Sequence, residues 1–136
     1  MLFNPEESVD FHGFTGPFIQ YTHARIRSVL RKAEGMRNEA RSFPDKNLAP
    51  IERTLLLQLN QFPGTVAEAA REHHPAHIAN YVYHLAKTYN SFYGELPILT
   101  AENPDDRFFR IQLSEFVATV IQKSMALLGI EVPERM

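Results

Sequence analysis

The sequence predicts an all-α fold, a bundle of four to five principal helices. Apolar residues recur at helical spacing in each long segment, and no segment keeps the alternation of a half-buried strand. Most of the nine prolines fall where such a segment begins or ends, the positions at which a helix tolerates proline. With 136 residues, the chain is long enough to form one domain around its own hydrophobic core.

The first helix is predicted to begin near Pro17 and to end at Gly35. Thr15 or Gly16 can cap it, and Pro17 suits the first turn because the N–H that proline lacks has no partner there. Residues 1–15 are predicted to form an entry strap. Two faces follow at helical spacing, an apolar one (Ile19, Ile26, Leu30 and Ala33) and a polar one (Gln20, His23, Arg27 and Arg31).

Three further helices are predicted in the middle of the chain. The first of them begins at Pro50, and a break over residues 62–65 separates it from a short helix over residues 66–72. Pro75 then starts a longer helix that ends near Tyr93. The inner face of this longer helix is predicted to contain Ile78, Tyr81, Val82, Leu85, Tyr89 and Phe92.

The last helix is predicted to be the most buried one. Asn103 can cap it, and Asp105 and Asp106 place negative charge at the positive end of the helix dipole. Gly129 is predicted to end the helix, and residues 130–136 to form a C-terminal tail. The apolar face is broad and is predicted to include Phe109, Leu113, Phe116, Val117, Val120, Ile121, Leu127 and Leu128.

The composition excludes several kinds of site. Because cysteine is absent, the chain has no disulfide, thiolate metal site or cysteine nucleophile, which suits the cytoplasmic location that we expect. No apolar run approaches the roughly 20 residues that span a bilayer, so we expect no contact with a membrane. His73 and His77 have the spacing of metal ligands on a helix, but Pro75 lies between them and is predicted to break that helix. We therefore expect no metal.

No pattern in the sequence supports a catalytic residue. Residues 12–17, HGFTGP, place two glycines before a helix, but they lack the dinucleotide-binding fingerprint and the lysine–serine ending of a P-loop. No nucleophile-elbow motif brings a serine and a histidine together, so a hydrolase has no positive support.

The charge is distributed unevenly along the chain. The formal net charge is −2, but the segment from Arg25 to Arg41 carries +4, because six basic residues there meet two acidic ones, and the remainder is −6. A basic patch on an acidic body favours a partner that is touched at one face, although a solvated helix surface has the same pattern. Some of the tyrosines of the long helix must also be on the surface, where a ring can stack on a nucleic-acid base or contact a protein.

Several stretches of the sequence together resemble one family. They are GFTGPFIQYTHARIRSVLRKA (residues 13–33), HPAHIANYVYHLAKTYNSFYGELPIL (74–99), RIQL (110–113) and the chain end ALLGIEVPERM (126–136). In this order they resemble the C-terminal anticodon-binding domain of arginyl-tRNA synthetases, the DALR domain, which is an all-α domain of the class I synthetase type. The matches span nearly the whole chain, although the tetrapeptide that names the domain is absent.

The resemblance implies which residues contact RNA. In the family, this domain receives the anticodon stem and loop, whose unstacked bases suit recognition by aromatic side chains. Tyr93 and Met136 match positions that contact anticodon bases. Phe18 and Tyr21 lie in a motif with a similar contact, which either ring could make. Phosphate contacts would then come from Arg25, Arg27 and Arg31.

The resemblance also implies what this chain lacks. The HIGH-like and KMSKS-like signatures of the class I catalytic domain are both absent. We therefore expect no cofactor here, and expect ATP and arginine to bind to the catalytic domain of a parent arginine–tRNA ligase. The chain is then expected to be a monomeric, catalytically inert module whose partners are the anticodon stem-loop of tRNA(Arg) and that catalytic domain. The alternative is a helical adaptor whose surface aromatics bind a partner protein.

Overall fold

The computed structural model describes residues 15–39 and 48–136, and the regular secondary structure of this part is entirely helical. It comprises α1 (Thr15–Lys32), a short 3-10 helix (Glu34–Glu39), α2 (Pro50–Asn60), α3 (Phe62–Glu72), α4 (Ala76–Glu95) and α5 (Pro104–Leu127). The predicted all-α bundle is confirmed. No helix in these residues is long and apolar enough to cross a membrane. The predicted entry strap falls outside the described residues, except for Thr15, which opens α1.

Both ends of α5 follow the predicted signals. The side-chain oxygen of Asn103 accepts a hydrogen bond of 2.8 Å from the backbone N–H of Asp105 and so caps the helix. At the other end, Gly129 adopts a positive φ of 77°, and the backbone N–H of Ile130 donates to the carbonyl of Met125 at 2.8 Å. This Schellman-type ending directs the chain out of the helix and into the C-terminal tail.

The connection between α2 and α4 differs from the predicted one. α3 begins at Phe62, so Pro63 lies in its first turn and residues 62–65 are not a break. A proline in the first turn leaves no hydrogen bond unmade, which is why the same residues suit either arrangement. α3 ends at Glu72, and the next residue, His73, has a left-handed φ of 53°; α4 follows Pro75. As predicted, His73 and His77 do not share a helix face.

α5 has more buried residues than any other described helix, as predicted, and it packs against α1, α2 and α4. It shares the centre of the bundle with α4, which packs against all four of the other α-helices. The fully buried side chains of α5 include Val117, Ile121 and Met125. The predicted burial is wrong for two residues of its apolar face, because Phe116 is 61% exposed and Leu127 is 56% exposed. α5 carries apolar side chains on several sides, and spacing along the sequence does not show which side meets a neighbouring helix.

A buried ion pair joins α5 to α2. Arg110 Nε lies 3.1 Å from Glu52 Oε2, and the two side chains are only 10% and 5% exposed. Arg110 also donates to the carbonyl of Pro97 at 2.8 Å, and the other carboxylate oxygen of Glu52 accepts from the backbone N–H of Ala49 at 2.9 Å. Because each charge has a further hydrogen bond, the pair holds the start of α2 and the loop before α5 in one position.

Candidate nucleic-acid interface

An open cavity of about 440 Å³, here called the tail cavity, lies between α1, the end of α4 and the C-terminal tail. This volume is within the range of small-molecule sites. α1 contributes Tyr21, Ala24, Arg25, Ser28, Val29, Arg31 and Lys32, α4 contributes Tyr93, and the tail contributes Arg135 and Met136. The α1 residues recur at intervals of three and four, so the helix presents one continuous face to the cavity.

Three large side chains with apolar surface are exposed at the tail cavity. Tyr21 is 50% exposed, Tyr93 is 42% exposed and Met136 is 71% exposed. Single exposed apolar residues are common on any protein, but three that line one cavity form a patch that a ligand can cover. Aromatic ring and thioether surface is therefore available to a binding partner here.

The guanidinium group of Arg25 lies over both tyrosine rings. Its central carbon is 4.5 Å from the centroid of the Tyr93 ring and 5.2 Å from that of Tyr21. It also donates hydrogen bonds to Asn90 Oδ1 at 2.6 Å and, at a longer 3.4 Å, to the hydroxyl of Tyr21. Cation–π attraction and the Asn90 hydrogen bond together hold the guanidinium group against the rings of Tyr21 and Tyr93.

Asn90 is a residue of this site that no sequence pattern predicted. Its side-chain amide accepts the Arg25 hydrogen bond and donates to Thr22 Oγ1 at 2.8 Å and to the carbonyl of Ala86 at 2.9 Å. The amide thus ties α4 to α1 beside the tail cavity. A signal did exist, because asparagine is a poor residue for a helix interior and Asn90 lies about one turn before Tyr93.

The C-terminal tail lies along the polar face of α1. Gln20 Nε2 donates to the carbonyl of Glu131 at 2.9 Å, and His23 Nδ1 lies 3.0 Å from the carbonyl oxygen of Pro133. Because a carbonyl oxygen only accepts, Nδ1 of His23 carries a hydrogen. His23 is only 2% exposed, and this burial lowers its pKa below 6.5, since the charged ring would lose its hydration.

Arg27 and Arg31 both bind Glu134 of the tail. Arg27 Nε donates to the Glu134 carboxylate at 2.8 Å, and Arg31 Nη1 donates to the Glu134 backbone carbonyl at 3.1 Å. The hydrogen bond from Arg27 lowers the pKa of Glu134 below 4.5. These contacts fix the backbone two residues before Met136.

The structure brings five of the seven predicted RNA-binding residues to one place, since Tyr21, Arg25, Arg31, Tyr93 and Met136 all line the tail cavity. Phe18 and Arg27 are not among the lining residues. Phe18 is partly buried against the core, and its ring centroid lies 5.9 Å from that of Tyr83. Of the two aromatic alternatives left by the sequence, Tyr21 is thus the one that lines the cavity.

The tail cavity is electropositive. Its lining contains Arg25, Arg31, Lys32 and Arg135 and no acidic side chain. Although the whole chain carries a formal charge of −2, this concentration of one sign attracts an anion locally. The side chains of Arg37 and Arg41, which complete the basic segment of the sequence, lie outside the described part of the structure.

A cluster of possible metal ligands lies elsewhere on the surface. The ligand atoms of Glu68, Glu72 and His77 are within 4.8 Å of one another, and both glutamates are exposed. His77 Nε2 lies 2.7 Å from Glu72 Oε2, so an ordinary surface hydrogen bond accounts for the proximity of these two side chains. That the chain holds no metal stays a prediction.

An apolar groove of about 620 Å³ lies between α2, α3 and α5. It includes the exposed ring of Phe116 and is lined by Leu56, Leu59, Asn60, Phe62, Pro63, Phe109, Gln112, Leu113, Phe116 and Val120. No charged side chain lines it, which distinguishes it from the tail cavity and is typical of a surface that contacts protein.

Comparison with known proteins identifies the family. The family model described as the DALR anticodon binding domain matches residues 19–136. The chain belongs to this family. The resemblance stated from the sequence is therefore confirmed. The match includes every residue of the tail cavity, from Tyr21 to Met136.

This DALR domain is similar in sequence to part of several bacterial arginine–tRNA ligases. The ligase of Flavobacterium psychrophilum is 53% identical over 136 residues, which are 100% of this chain and 22% of the ligase. That of Porphyromonas gingivalis is 49% identical over 138 residues, which are 100% of this chain and 23% of the ligase. The chain thus spans less than a quarter of the length of these relatives.

A solved structure gives the same fold. The arginyl-tRNA synthetase of Thermus thermophilus superposes with a TM-score of 0.77 at 35% sequence identity. The superposition covers 98% of this chain and 23% of the synthetase. The DALR domain described here is therefore an all-α domain of the kind found in arginyl-tRNA synthetases, as the sequence predicted.

Proposed function

We propose that this DALR domain binds the anticodon stem-loop of tRNA(Arg) and positions it for the catalytic domain of a longer parent chain. The observation that carries the proposal is the tail cavity, where the exposed rings of Tyr21 and Tyr93 adjoin cationic side chains. Single-stranded loops offer unstacked bases, which stack on aromatic rings and guanidinium planes. The choice of tRNA(Arg) is supported by the arginine–tRNA ligases to which the chain is similar.

Base binding is assigned to the aromatic side of the tail cavity. The guanidinium carbon of Arg25 lies 4.5 Å from the centroid of the Tyr93 ring, and an unstacked base can stack on this cation–π pair. Met136 adds a polarizable thioether that packs well against a planar ring. Tyr21 adds a second exposed ring, whereas Phe18 is left out because the core already contacts its ring.

Phosphate binding is assigned to Arg31, Lys32 and Arg135. Their charges line the tail cavity, and none of them has a carboxylate partner among the hydrogen bonds of the described residues. Arg27, in contrast, is already paired with Glu134. A guanidinium that is paired with a carboxylate gains less from a phosphate, because it must give up that interaction.

Hairpin binding tests the proposal directly. Electrophoretic mobility of a tRNA(Arg) anticodon hairpin is measured with the 136-residue chain at two salt concentrations. We expect a shift that weakens as salt rises, because each phosphate contact releases counterions. A hairpin with the same stem and an unrelated loop is the matched control and should bind more weakly. A helical protein adaptor would shift neither hairpin.

The parent activity is the second part of the proposal. The relatives are named arginine–tRNA ligases, and this chain spans less than a quarter of them. We place ATP and arginine in the catalytic domain of the parent, and this chain, a monomer in the cytoplasm, contributes no catalytic residue. Arginine-dependent pyrophosphate exchange by the purified chain would contradict this, as would a dimer in sedimentation.

The apolar groove is proposed as the contact with the remainder of the parent chain. More than three quarters of the relatives' length lies outside this domain, and the uncharged groove around Phe116 offers a surface for such a contact. Phe116→Asp should therefore leave hairpin binding by the isolated chain unchanged but reduce aminoacylation by the parent ligase. Gln122→Asp, which adds the same charge at another exposed position of α5 that does not line the groove, is the control and should reduce aminoacylation much less.

A further inference from the structure

We infer that the polar face of α1 positions the C-terminal tail, so that Arg27 acts on RNA through Glu134 and Met136 rather than by contacting a phosphate. This inference rests on the proposed function, because it takes the tail cavity to be the place where an anticodon base binds. It assigns a positioning role to Gln20, His23, Arg27 and Arg31.

The hydrogen bonds define how the tail runs. Positions 20, 23, 27 and 31 of α1 contact positions 131, 133, 134 and 134 of the tail, so the two segments run in the same direction. All four donors belong to α1, and the acceptors are three backbone carbonyls and one carboxylate. The tail has no helix or strand of its own. Side chains of α1 therefore supply the hydrogen bonds that hold the tail, in place of the backbone hydrogen bonds of a helix or sheet.

Burial shows that this contact is a docked one. His23 is only 2% exposed although it lies on the polar face of α1, and its hydrogen-bond partner is the carbonyl of Pro133. Val132 and Ile130 also pack against the hydrophobic core. A frayed tail would leave the imidazole and these two side chains in water. The structure thus holds Met136 at the cavity through contacts that begin several residues before it.

Glu134 is the residue that separates the two possible roles of Arg27. If Arg27 bound a phosphate, removing the Glu134 carboxylate would free the guanidinium and remove a charge that repels RNA. Binding would then stay the same or tighten. If Arg27 positions the tail, removing the carboxylate loosens Met136 and weakens binding. The two roles therefore predict effects of opposite sign for Glu134→Gln.

The experiment combines RNA binding with a measurement that needs no RNA. The chain has four methionines, so a 13C-methyl-methionine sample gives a simple spectrum in which the Met136 signal is assigned from a variant lacking that residue. Methyl relaxation reports the mobility of the tail end. Hairpin dissociation constants are measured on the same samples. The variants are Arg27→Ala, Glu134→Gln, Arg27→Glu, Glu134→Arg and the last two combined.

We expect Arg27→Ala and Glu134→Gln each to increase the mobility of the Met136 methyl and to weaken hairpin binding by about 1.5- to 5-fold, the range of an exposed ion pair. Arg27→Glu should weaken binding further because two carboxylates then face each other, and adding Glu134→Arg should recover most of that loss. In Arg27→Ala and Glu134→Gln, the slope of hairpin affinity against salt concentration should stay unchanged. Lys32→Ala is the control for a lost cation at the tail cavity; it should flatten that slope and leave the methyl unchanged.

Three results overturn the inference. One is an unchanged Met136 methyl in Arg27→Ala and Glu134→Gln. Another is tighter hairpin binding by Glu134→Gln, and the third is an Arg27→Ala loss that appears wholly as a smaller salt slope. Because Glu134 is exposed, its glutamine variant does not endanger the fold. If the unmodified chain does not bind the hairpin, the proposed function has failed, and the methyl data still decide whether α1 holds the tail.

Discussion

Replacing Tyr93 with alanine removes the ring at the centre of the tail cavity while leaving the core in place. The ring is 42% exposed, and its centroid lies 4.5 Å from the central carbon of the Arg25 guanidinium and 6.4 Å from the ring centroid of Tyr89. Tyr89 and Phe92, which fill the core beside it, are fully buried and unaffected. The variant therefore tests base binding with little disturbance of the fold.

The expected magnitude follows from these contacts. Stacking of one base on an aromatic ring contributes roughly 1–3 kcal/mol, so Tyr93→Ala should weaken hairpin binding by roughly 5- to 150-fold. The cation–π contact with Arg25 contributes only about 0.5–1 kcal/mol to folding at an exposed position, so the thermal midpoint should shift by a few degrees at most. Tyr93→Phe keeps the ring and is the control; it should bind nearly as tightly as the unmodified chain.

Deletion of residues 130–136 completes the test. This change removes both Met136 and Arg135 from the same cavity, so it should weaken binding at least as much as Tyr93→Ala. If Tyr93 and Met136 contact one base, the combined variant should lose less than the sum of the two free-energy changes. Fluorescence anisotropy with a labelled hairpin gives all four dissociation constants. Unchanged binding by both single variants, with intact circular dichroism, would show that the anticodon base binds somewhere else.

Three further predictions concern stability. Phe116, whose ring is 61% exposed, should change the free energy of unfolding by no more than about 1 kcal/mol when replaced with alanine, whereas Phe109→Ala, at a 7% exposed ring, should cost about 3–5 kcal/mol. Urea denaturation compares the two variants, and equal losses would show that Phe116 is as buried as Phe109. Burial lowers the pKa of His23 in the folded chain, so on acidification the unfolded chain binds a proton at this residue first. The contribution of neutral His23 to the free energy of unfolding should be fully present above pH 6.5 and be lost as the pH drops through the lower native pKa. In thermal midpoints measured against pH, His23→Gln should remove this decrease. Glu52→Ala should lower the free energy of unfolding by about 3–5 kcal/mol, because it leaves the charge of Arg110 buried and unpaired, whereas replacing both residues by apolar ones should cost less. Urea denaturation of the single and double variants compares them, and a larger loss in the double variant would contradict the prediction.

The helices could be predicted because their limits depend on local chemistry. Asn103 caps α5, Pro50 opens α2 and Gly129 ends α5 with a positive φ, and each of these residues suits few other positions. The start of α3 could not be fixed in the same way. Phe62 and Pro63 suit a break or a first turn equally well, and packing of the Phe62 ring beside Tyr81, at 5.9 Å, is a tertiary contact that local sequence does not contain.

The site could be predicted only in part, and the aromatic pair shows why. Phe18 and Tyr21 are three positions apart on α1, so their directions differ by only about 60° around the helix. Periodicity cannot separate two such neighbours. The position of α4 decides, because its Tyr83 packs against Phe18, whereas its Tyr93 lines the same open cavity as Tyr21.

The polar face of α1 shows a deeper limit of sequence patterns. A row of donors at helical spacing predicts a partner rich in acceptors, and both a phosphate chain and the protein's own carbonyls meet that description. The sequence showed the row, and the structure shows that the described tail occupies it. Arg31 lies where the two surfaces meet, since it lines the tail cavity and also donates to the tail.

The cationic side chains that line the tail cavity therefore differ from the three that the sequence indicated as phosphate contacts. Pairing with Glu134 removes Arg27 from the set, and the same docked tail brings Arg135 into the cavity. The tail thus exchanges one positive charge for another and adds Met136 beside the aromatic rings. Its contribution to the cavity is shape and apolar surface, since the number of charges hardly changes. Three of the four lining cations belong to α1, so attraction to phosphate would depend mainly on α1, and Arg135 would add to it when the tail is docked. Discrimination among bases would depend on the aromatic rings together with Met136 of the docked tail.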